Sequence, residues 1–211
     1  MDRPCLWKDP NAVAISKEES LTSMRDCKHA AHAMIYSFSS KSLFGRIPMQ
    51  HNILITMRFD GTFGFPGGLI NNIEGSESIE DGLNRELREE INLDLKFFMT
   101  ENEYFRSYLQ TLGKGKLVNH FYLKQVSESE FFDIEKRCID AGDWGTETLG
   151  IVRVPVQEKA GYHQKNSPIV NFLRHNFVGN AKQELVEGMI KCDIFSHDEM
   201  LKIWKMSGRV K

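Results

Sequence analysis

A short segment of the chain, Gly82 to Leu93, combines a helical repeat of apolar residues with a cluster of acidic ones. Its sequence is GLNRELREEINL, and the apolar residues in and just before it recur at every fourth position: Ile79, Leu83, Leu87 and Ile91. This spacing predicts a helix over Ile79–Leu93 with one buried apolar stripe. At about 100° per residue, Glu86, Glu89 and Glu90 fall within an arc of roughly 100° that the stripe leaves exposed.

Three carboxylates on one turn of a helix repel one another, by a few tenths of a kcal/mol for each pair four residues apart. One interpretation is a solvated helix face on which Arg85 and Arg88 supply ion pairs. The other is a site for a hard divalent cation, because Mg²⁺ prefers oxygen ligands and takes a few carboxylates together with water and phosphate. The upstream segment FGFPGG favours the cation site, since glycine lets the backbone approach a ligand closely.

The composition is that of an ordinary globular protein. Of the 211 residues 41% are hydrophobic, and the formal net charge is -2, so no global charge favours nucleic acid or a membrane surface. No apolar run approaches the ~20 residues of a membrane helix. The four cysteines are scattered and form no Cys-x-x-Cys pair: Cys5, Cys27, Cys138 and Cys192. Together these features predict a soluble intracellular protein with free thiols and no membrane association.

Predicted strands and helices follow one another along the chain, which indicates an α/β fold with a mixed sheet between helices. The predicted strands are His29–Phe38, Leu117–Val126 and Leu149–Val156. The Asp60-Gly61 pair between extended segments predicts a hairpin turn. Ser127 and Ser196 are each followed by Glu three residues later, the spacing of a capping box at the start of a helix. Further helices are predicted over Val170–Phe177, Ala181–Lys191 and His197–Lys205.

We expect three parts: an N-terminal arm over residues 1–26, one main domain over 27–195, and a C-terminal helix and tail over 196–211. The arm mixes proline, serine and charged residues without a strong period. This pattern predicts a loosely held segment that includes one short helix.

The glycine pair and the segment RELREEINL resemble the Nudix box, G-x5-E-x7-R-E-U-x-E-E-x-G-U, in which U is aliphatic. The residues that match its second half are Arg85, Glu86, Leu87, Glu89, Glu90 and Leu93. The first half is longer than the pattern, so that either Glu74 or Glu77 can stand for its first glutamate. Asn92 replaces the last glycine of the pattern, and asparagine tolerates the left-handed conformation that ends a helix.

Further segments resemble, within the Nudix superfamily, the family of U8 snoRNA-decapping enzymes, also described as inosine diphosphatases. They are LFGRIP, MRFDGTFGFPGG, EDGLNRELREE, NHFYLK, LGIVRVP and NFVGNAKQEL. The resemblance implies a Nudix α/β/α sandwich with a mixed β-sheet between helices. It also implies metal-dependent hydrolysis, with Mg²⁺ or Mn²⁺, of a diphosphate linkage in capped RNA (U8 snoRNA-type decapping) and in (deoxy)inosine or related nucleoside diphosphates.

The same resemblance implies the roles of individual residues. Glu86, Glu89 and Glu90 are the implied catalytic residues and metal ligands, with Glu90 as the candidate base. Gly67, through its carbonyl, and Glu187, on a late helix, are the further implied metal ligands. Four carboxylates would then converge on one ion cluster.

For the substrate, the implied binding residues are His32, Arg58, Phe65 and Glu184. Phe65 could offer a ring face to a purine, and Arg58 could pair with phosphate. Relatives carry Gln where this chain has Glu184, and a carboxylate there would discourage a further substrate anion. Relatives also carry a His after RSS, whereas FRSYLQ has none.

The resemblance implies a homodimer that acts on capped RNA or a purine nucleoside diphosphate. It implies residence in the nucleus, in nucleolus and nucleoplasm, and leaves a cytoplasmic fraction open. One alternative is a non-catalytic RNA- or protein-binding Nudix module, but that branch of the family has lost the glutamates that this chain keeps. A second alternative is a hydrolase of ADP-ribose or of NAD- or FAD-type caps, which shares the metal chemistry and differs in the pocket.

Overall fold

A mixed β-sheet forms the centre of the computed structural model, which describes residues 7–71, 77–113, 115–157 and 167–208. Ten strands join this sheet within those ranges. They are β1 (Ala12–Ile15), β2 (Lys28–Phe38), β3 (Ser42–Leu43), β4 (Ile47–Arg58), β5 (Phe63–Gly64), β6 (Gly67–Leu69), β7 (Tyr104–Leu112), β8 (Gly115–Gln125), β9 (Thr148–Arg153) and β10 (Val156–Gln157). The helices are α1 (Lys17–Leu21), α2 (Ile79–Ile91), α3 (Glu128–Arg137), α4 (Pro168–Phe172), α5 (Ala181–Lys191) and α6 (His197–Ser207).

The main path of the sheet runs in the order β1-β7-β8-β2-β4-β10. β2 and β8 are parallel, whereas β1, β7, β4 and β10 pair with their neighbours antiparallel. This confirms the predicted mixed sheet. No helix in the described ranges is long and apolar enough to span a bilayer.

Each face of the sheet carries its own hydrophobic core. Ala31, Ala33 and Ile35 of β2 pack with the apolar residues of α2 and α3. Met34, the neighbour that points the other way, packs on the opposite face with residues of α4, α5 and α6. The alternation of side chains along a strand thus separates two helical layers, and the α/β/α sandwich is confirmed.

The ends of the predicted helices carry the expected caps. Ser127 and Ser196 both form capping boxes. α2 ends at Ile91, two residues before the predicted end, because Asn92 adopts the left-handed conformation with φ 49°. α4 ends at Phe172, so the helix predicted over Val170–Phe177 is wrong beyond that residue.

The N-terminal segment is more firmly held than its composition predicts. β1 is the edge strand of the sheet, with Ala12 opposite Gln110 of β7. Trp7 is 3% exposed and belongs to the same core as Met200 and Ile203 of α6. The expectation of a loosely held arm is therefore wrong for residues 7–26, because β7, which the sequence analysis did not predict, offers β1 a partner.

A cleft opens where β2 and β4 diverge. The two strands pair at one end only, from Tyr36 opposite Ile53 to Phe38 opposite His51. Towards the other end β2 pairs with the short strand β6, while β4 pairs with β5 and β9. The first residues of β2 and the last residues of β4 thus stand on the two sides of an opening.

Candidate active site

The three box glutamates on α2 differ strongly in exposure. Glu89 is exposed and Glu86 is half-buried, but Glu90 is only 4% exposed. The prediction that all three lie on an exposed arc is therefore wrong for Glu90. The reason is geometric: Glu90 follows Leu87 by three residues, so it borders the buried stripe.

Glu90 is held by the backbone of the glycine corner, Gly67-Gly68. Its Oε2 accepts a hydrogen bond from Gly67 N–H at 3.0 Å. Gly67 has φ +133°, and a Cβ there would collide with the carbonyl oxygen of Ala31 in β2. Burial raises the pKa of Glu90 to about 7 against the opposing effect of the Gly67 hydrogen bond, and burial also raises the pKa of Glu86.

Arg85 gathers the acids of the box around its guanidinium. Its Nε donates to Glu77 at 3.0 Å, and its Nη1 donates to Glu86 at 2.7 Å and to Glu89 at 3.2 Å. Glu77, one of the two candidates for the first box glutamate, is therefore paired with the box arginine. Glu74, the other candidate, lies outside the described residues.

All three glutamates line one cavity of about 520 Å³ in the cleft between β2 and β4. The other lining residues are Ala30, His32, Arg58, Phe65, Gly67, Gly68, Leu69, Gln110, Leu117, Asn119, Asp143, Glu147, Val178, Gly179, Asn180, Ala181 and Glu184. The cavity therefore brings the box together with all four predicted substrate residues.

A hydrogen-bonded network of polar side chains forms one wall of the cavity. Asn119 Oδ1 accepts from His32 Nδ1 at 2.7 Å, and Asn119 Nδ2 donates to Glu184 Oε1 at 2.5 Å. Asn180 Oδ1 accepts from Gln110 Nε2 at 2.5 Å. Because Nδ1 of neutral His32 carries the proton, its Nε2 carries a lone pair. Burial lowers the pKa of His32 to about 4, so the ring is neutral near pH 7.

Glu184 is an acid that burial keeps neutral. It is 1% exposed, and no cationic side chain of the described residues forms an ion pair with it. Burial raises its pKa to about 8, while the hydrogen bond from Asn180 opposes the shift. At neutral pH the group is therefore a carboxylic acid, similar to an amide in shape, and the expected repulsion of a substrate anion does not apply.

Arg58 presents a guanidinium that forms no close ion pair with a described acidic residue, although its charge opposes the rise in the pKa of Glu90. Its Nε is buried without a hydrogen-bond partner, and its guanidinium lies 5.5 Å from the centre of the Phe59 ring. A cation in this state is suited to bind an anion.

Phe65 lines the cavity with only a small part of its ring. It is 2% exposed, and its ring centre lies 4.9 Å from that of Phe121. Most of the ring is covered by the core, and a contact between Phe65 and a base stays a prediction.

Glu187 lies outside the cavity, one turn beyond Glu184 on α5. Arg106 Nη1 and Tyr108 OH donate to its Oε2 at 2.6 and 2.8 Å, and Gln183 donates to its Oε1 at 2.9 Å. The structure thus does not bring Glu187 to the carboxylates of Glu86, Glu89 and Glu90. The reason is that β7 supplies an ion pair and a hydrogen bond that already satisfy it.

Two acids that the sequence analysis missed line the cavity, Asp143 and Glu147. Their loop is fixed on α2, since Asp143 N–H donates to the carbonyl of Glu89 at 2.9 Å. No spacing in the loop sequence indicates this position. Asn119 and Gln110 were also missed, and polar residues at inward positions of strands were the available signal.

The donor chemistry of the cavity fits a hard cation. As they stand, no three His, Cys, Asp or Glu side chains of the described ranges surround a common point. Yet Glu86, Glu89 and Glu90 each keep one carboxylate oxygen to which no described residue donates. A Cβ at Gly68 would collide with the Glu86 carboxylate, so glycine preserves the space there. Residues of this kind fit Mg²⁺ or Mn²⁺.

Residues 29–195 match the model of a protein family described as U8 snoRNA-decapping enzyme-like. The U8 snoRNA-decapping enzyme of Xenopus laevis is 35% identical over 210 residues, which cover 100% of this chain and 96% of that protein. The Mus musculus enzyme of the same name is 37% identical over 175 residues, which cover 83% and 87% of the two chains.

A second group of similar proteins carries a different name. The Tudor-interacting repair regulator protein of Homo sapiens is 35% identical over 196 residues, which cover 92% of this chain and 87% of that protein. Sequence identity is therefore about the same to two differently named groups of proteins and does not distinguish between them.

Proposed function

The chain belongs to the U8 snoRNA-decapping enzyme-like family of Nudix hydrolases and is a Nudix pyrophosphohydrolase, and from this we propose that it hydrolyses a diphosphate linkage in capped RNA and in (deoxy)inosine or related nucleoside diphosphates. The observation that carries the proposal is the guanidinium of Arg58, which forms no close ion pair with a described acidic residue, in the cavity that also holds the box glutamates. A cation and a cluster of acids in one cleft suit a diphosphate that binds together with a metal ion.

The phosphate end of the substrate would lie between Arg58 and the carboxylates. A bound Mg²⁺ or Mn²⁺ would neutralise phosphate charge and activate a water molecule, and Glu86, Glu89 and Glu90, with the Gly67 carbonyl, are the residues that would hold it. Arg58 would orient the phosphates through charge-assisted hydrogen bonds. Glu90, the most buried of the three acids, is our candidate for the general base.

The base end would face the wall formed by His32, Asn119 and Glu184. His32 Nε2 is a hydrogen-bond acceptor, because Nδ1 already donates to Asn119. A 6-oxopurine such as hypoxanthine carries a ring N–H that can donate to it, whereas adenine has a lone pair at the corresponding ring nitrogen. This difference supports (deoxy)inosine-type substrates over adenosine-type ones.

The test is product analysis with a 5′-labelled capped RNA beside inosine, deoxyinosine and adenosine diphosphates and ADP-ribose, each in Mg²⁺ and in Mn²⁺. We expect hydrolysis of the capped RNA and higher kcat/KM for the inosine compounds than for the adenosine ones. Arg58→Gln should lower kcat/KM by at least about tenfold, whereas Arg46→Gln, at an exposed arginine, should not.

Two results would contradict the proposal. If the wild-type protein binds capped RNA but yields no product in either metal, the non-catalytic binding module is the better description. If ADP-ribose or NAD- and FAD-type caps are hydrolysed with the highest kcat/KM, the substrate class is wrong while the metal chemistry stands.

A homodimer and residence in the nucleus are further proposals, and both are supported by family membership alone. Sedimentation equilibrium tests the first and imaging of the tagged protein tests the second. A monomer at micromolar concentration, or a purely cytoplasmic signal, would contradict them.

A further inference from the structure

A second groove, of about 550 Å³, lies beside the catalytic cavity and shares Gly179 and Asn180 with it. The residues that line this second groove are Trp7, Lys8, Asp9, Pro10, His175, Asn176, Phe177, Gly179, Asn180, Lys182, Gln183 and Trp204. They come from the N-terminal segment, the loop before α5, the first turn of α5 and the end of α6. The second groove therefore adjoins the catalytic cavity at Gly179 and Asn180.

The second groove contains two lysines, Lys8 and Lys182. No acidic side chain of the described ranges forms an ion pair with Lys8 or Lys182. Lys182 is half-buried, and burial lowers its pKa. Asp9, the acidic residue in the lining, accepts a hydrogen bond from the backbone of Asn11 at 2.8 Å. A partly desolvated cation without a counter-ion is a favourable place for an anion.

Aromatic side chains line the second groove together with these cations. Phe177 and Trp204 are partly exposed and His175 is exposed, and Lys182 Nζ lies 5.2 Å from the centre of the Phe177 ring. Aromatic surfaces that accept bases, set between cations that accept phosphates, are the pattern by which proteins bind single-stranded nucleic acid.

We propose that the second groove binds the single-stranded RNA that continues from a capped 5′ end seated in the catalytic cavity. This rests on the proposed function, because it takes capped RNA as the substrate. An RNA chain suits both features of the groove, whereas an acidic peptide would use the cations and leave the aromatic faces without bases. The shared residues Gly179 and Asn180 place the second groove directly beside the cavity in which the capped end would lie.

The test compares binding of an RNA with turnover of a substrate too small to reach the second groove. The probe is a fluorescein-labelled capped RNA of about 12 nucleotides, within the range that one single-strand-binding module covers. Anisotropy gives its Kd without divalent metal at several salt concentrations. Hydrolysis of inosine diphosphate in Mn²⁺ is measured in parallel.

We expect Lys8→Gln/Lys182→Gln to weaken binding of the RNA by at least about fivefold at low salt, and to reduce the slope of log K against log salt by about 1.4, or about 0.7 for each lost phosphate contact. Hydrolysis of inosine diphosphate should stay unchanged. The matched control is Lys96→Gln/Lys136→Gln, since Lys96 also lies over a phenylalanine ring, at 4.6 Å from its centre, and should alter neither quantity.

Unchanged RNA affinity and salt dependence in the Lys8/Lys182 variant would overturn the proposal. The proposal would also be wrong if sedimentation showed that the variant changes only the self-association of the protein. Failure of the proposed function would look different. The wild type would then hydrolyse neither substrate, whatever the RNA affinity of the variants.

Discussion

At the scale of single residues, burial decides the chemistry of the acids in the cavity. Glu89 is exposed, whereas Glu90 and Glu184 are almost completely buried. Loss of water around the last two raises their pKa values to about 7 and about 8, because desolvation disfavours the charged form. The sequence supplied the identities of these residues but not their exposure.

Glu90→Gln should remove activity and keep the fold. We expect kcat for inosine diphosphate to fall at least about 100-fold, the range of a lost acid-base group. The fold should survive because the Gln carbonyl oxygen can still accept from Gly67 N–H. Mn²⁺-dependent hydrolysis and thermal unfolding measure the two effects, with Asp133→Asn, whose side chain is 58% exposed, as the control. Near-normal rates of hydrolysis in the variant would show that Glu90 has no catalytic role.

Glu184→Gln should change the pH dependence of stability. The folded-state pKa of Glu184 is raised to about 8, so its contribution to stability is fully present below the unfolded pKa, about 4.5, and is lost as pH rises towards 8. The free energy of unfolding of the variant, minus that of the wild type, should therefore increase between about pH 5 and 8, by at most about 1.4 kcal/mol per pH unit.

Urea unfolding of the two proteins at each pH measures this difference. A constant difference across the range would show that Glu184 is ionised in the folded protein.

At the scale of elements, α2 and the glycine corner that precedes it form one unit. A Cβ at Gly67 would meet the backbone of Ala31 and His32, whereas a Cβ at Gly68 would meet only the carboxylate of Glu86. Backbone cannot move aside within a sheet, but a side-chain end can. The two neighbouring glycines therefore have different roles.

Gly67→Ala should unfold or strongly destabilise the protein, by at least about 2 kcal/mol, because it combines a backbone collision with a positive φ. Gly68→Ala should leave the midpoint of thermal unfolding nearly unchanged but lower Mn²⁺-dependent turnover, since it displaces Glu86. Circular dichroism melts and hydrolysis rates check both variants. Equal stability of the two would contradict the assigned roles.

The elements were predictable where their inward residues are apolar. α2 follows from its stripe of leucine and isoleucine, and its end follows from Asn92. β7 was missed because its buried residues are polar: Ser107, Tyr108 and Gln110. Each is hydrogen-bonded to a residue outside β7, namely His120, Glu187 and Asn180 respectively.

At the scale of the whole molecule, a chain of hydrogen bonds joins β7, β8 and β2 to the segment before β2. The Met24 carbonyl must accept, so His29 Nε2 donates to it and His29 Nδ1 accepts from His120 Nε2. His120 Nδ1 then accepts from the Ser107 hydroxyl at 2.8 Å. Burial, followed by the proximity of His29, lowers the pKa of His120 to about 3, and burial lowers that of His29.

The metal-free protein should be most stable between about pH 5 and 6.5. Folded-state pKa values below the unfolded value mean that the histidine contribution is fully present above about pH 6.5 and is lost as pH falls. The pKa values of the buried acids are raised instead of lowered, so their contribution to stability is lost as pH rises. Urea unfolding in the presence of a chelator measures the profile.

His120→Gln should flatten only the acidic side of that profile, by at most about 1.4 kcal/mol per pH unit. A wild-type profile that rises steadily up to pH 8 would contradict the assignment of the buried acids. If the variant loses as much stability as the wild type below pH 6.5, the role of His120 is wrong.

Local spacing alone specified α2, its cap and the placement of three glutamates within little more than one turn, because residues three and four apart on a helix are always neighbours. The folded chain, in contrast, brings Glu184 to Asn119, 65 residues away, and His32 to Asn119, 87 residues away. It also decided that Glu187, one turn from Glu184, faces Arg106 instead of the cavity. The physical reason is that such contacts depend on the order and register of strands, which no local spacing encodes.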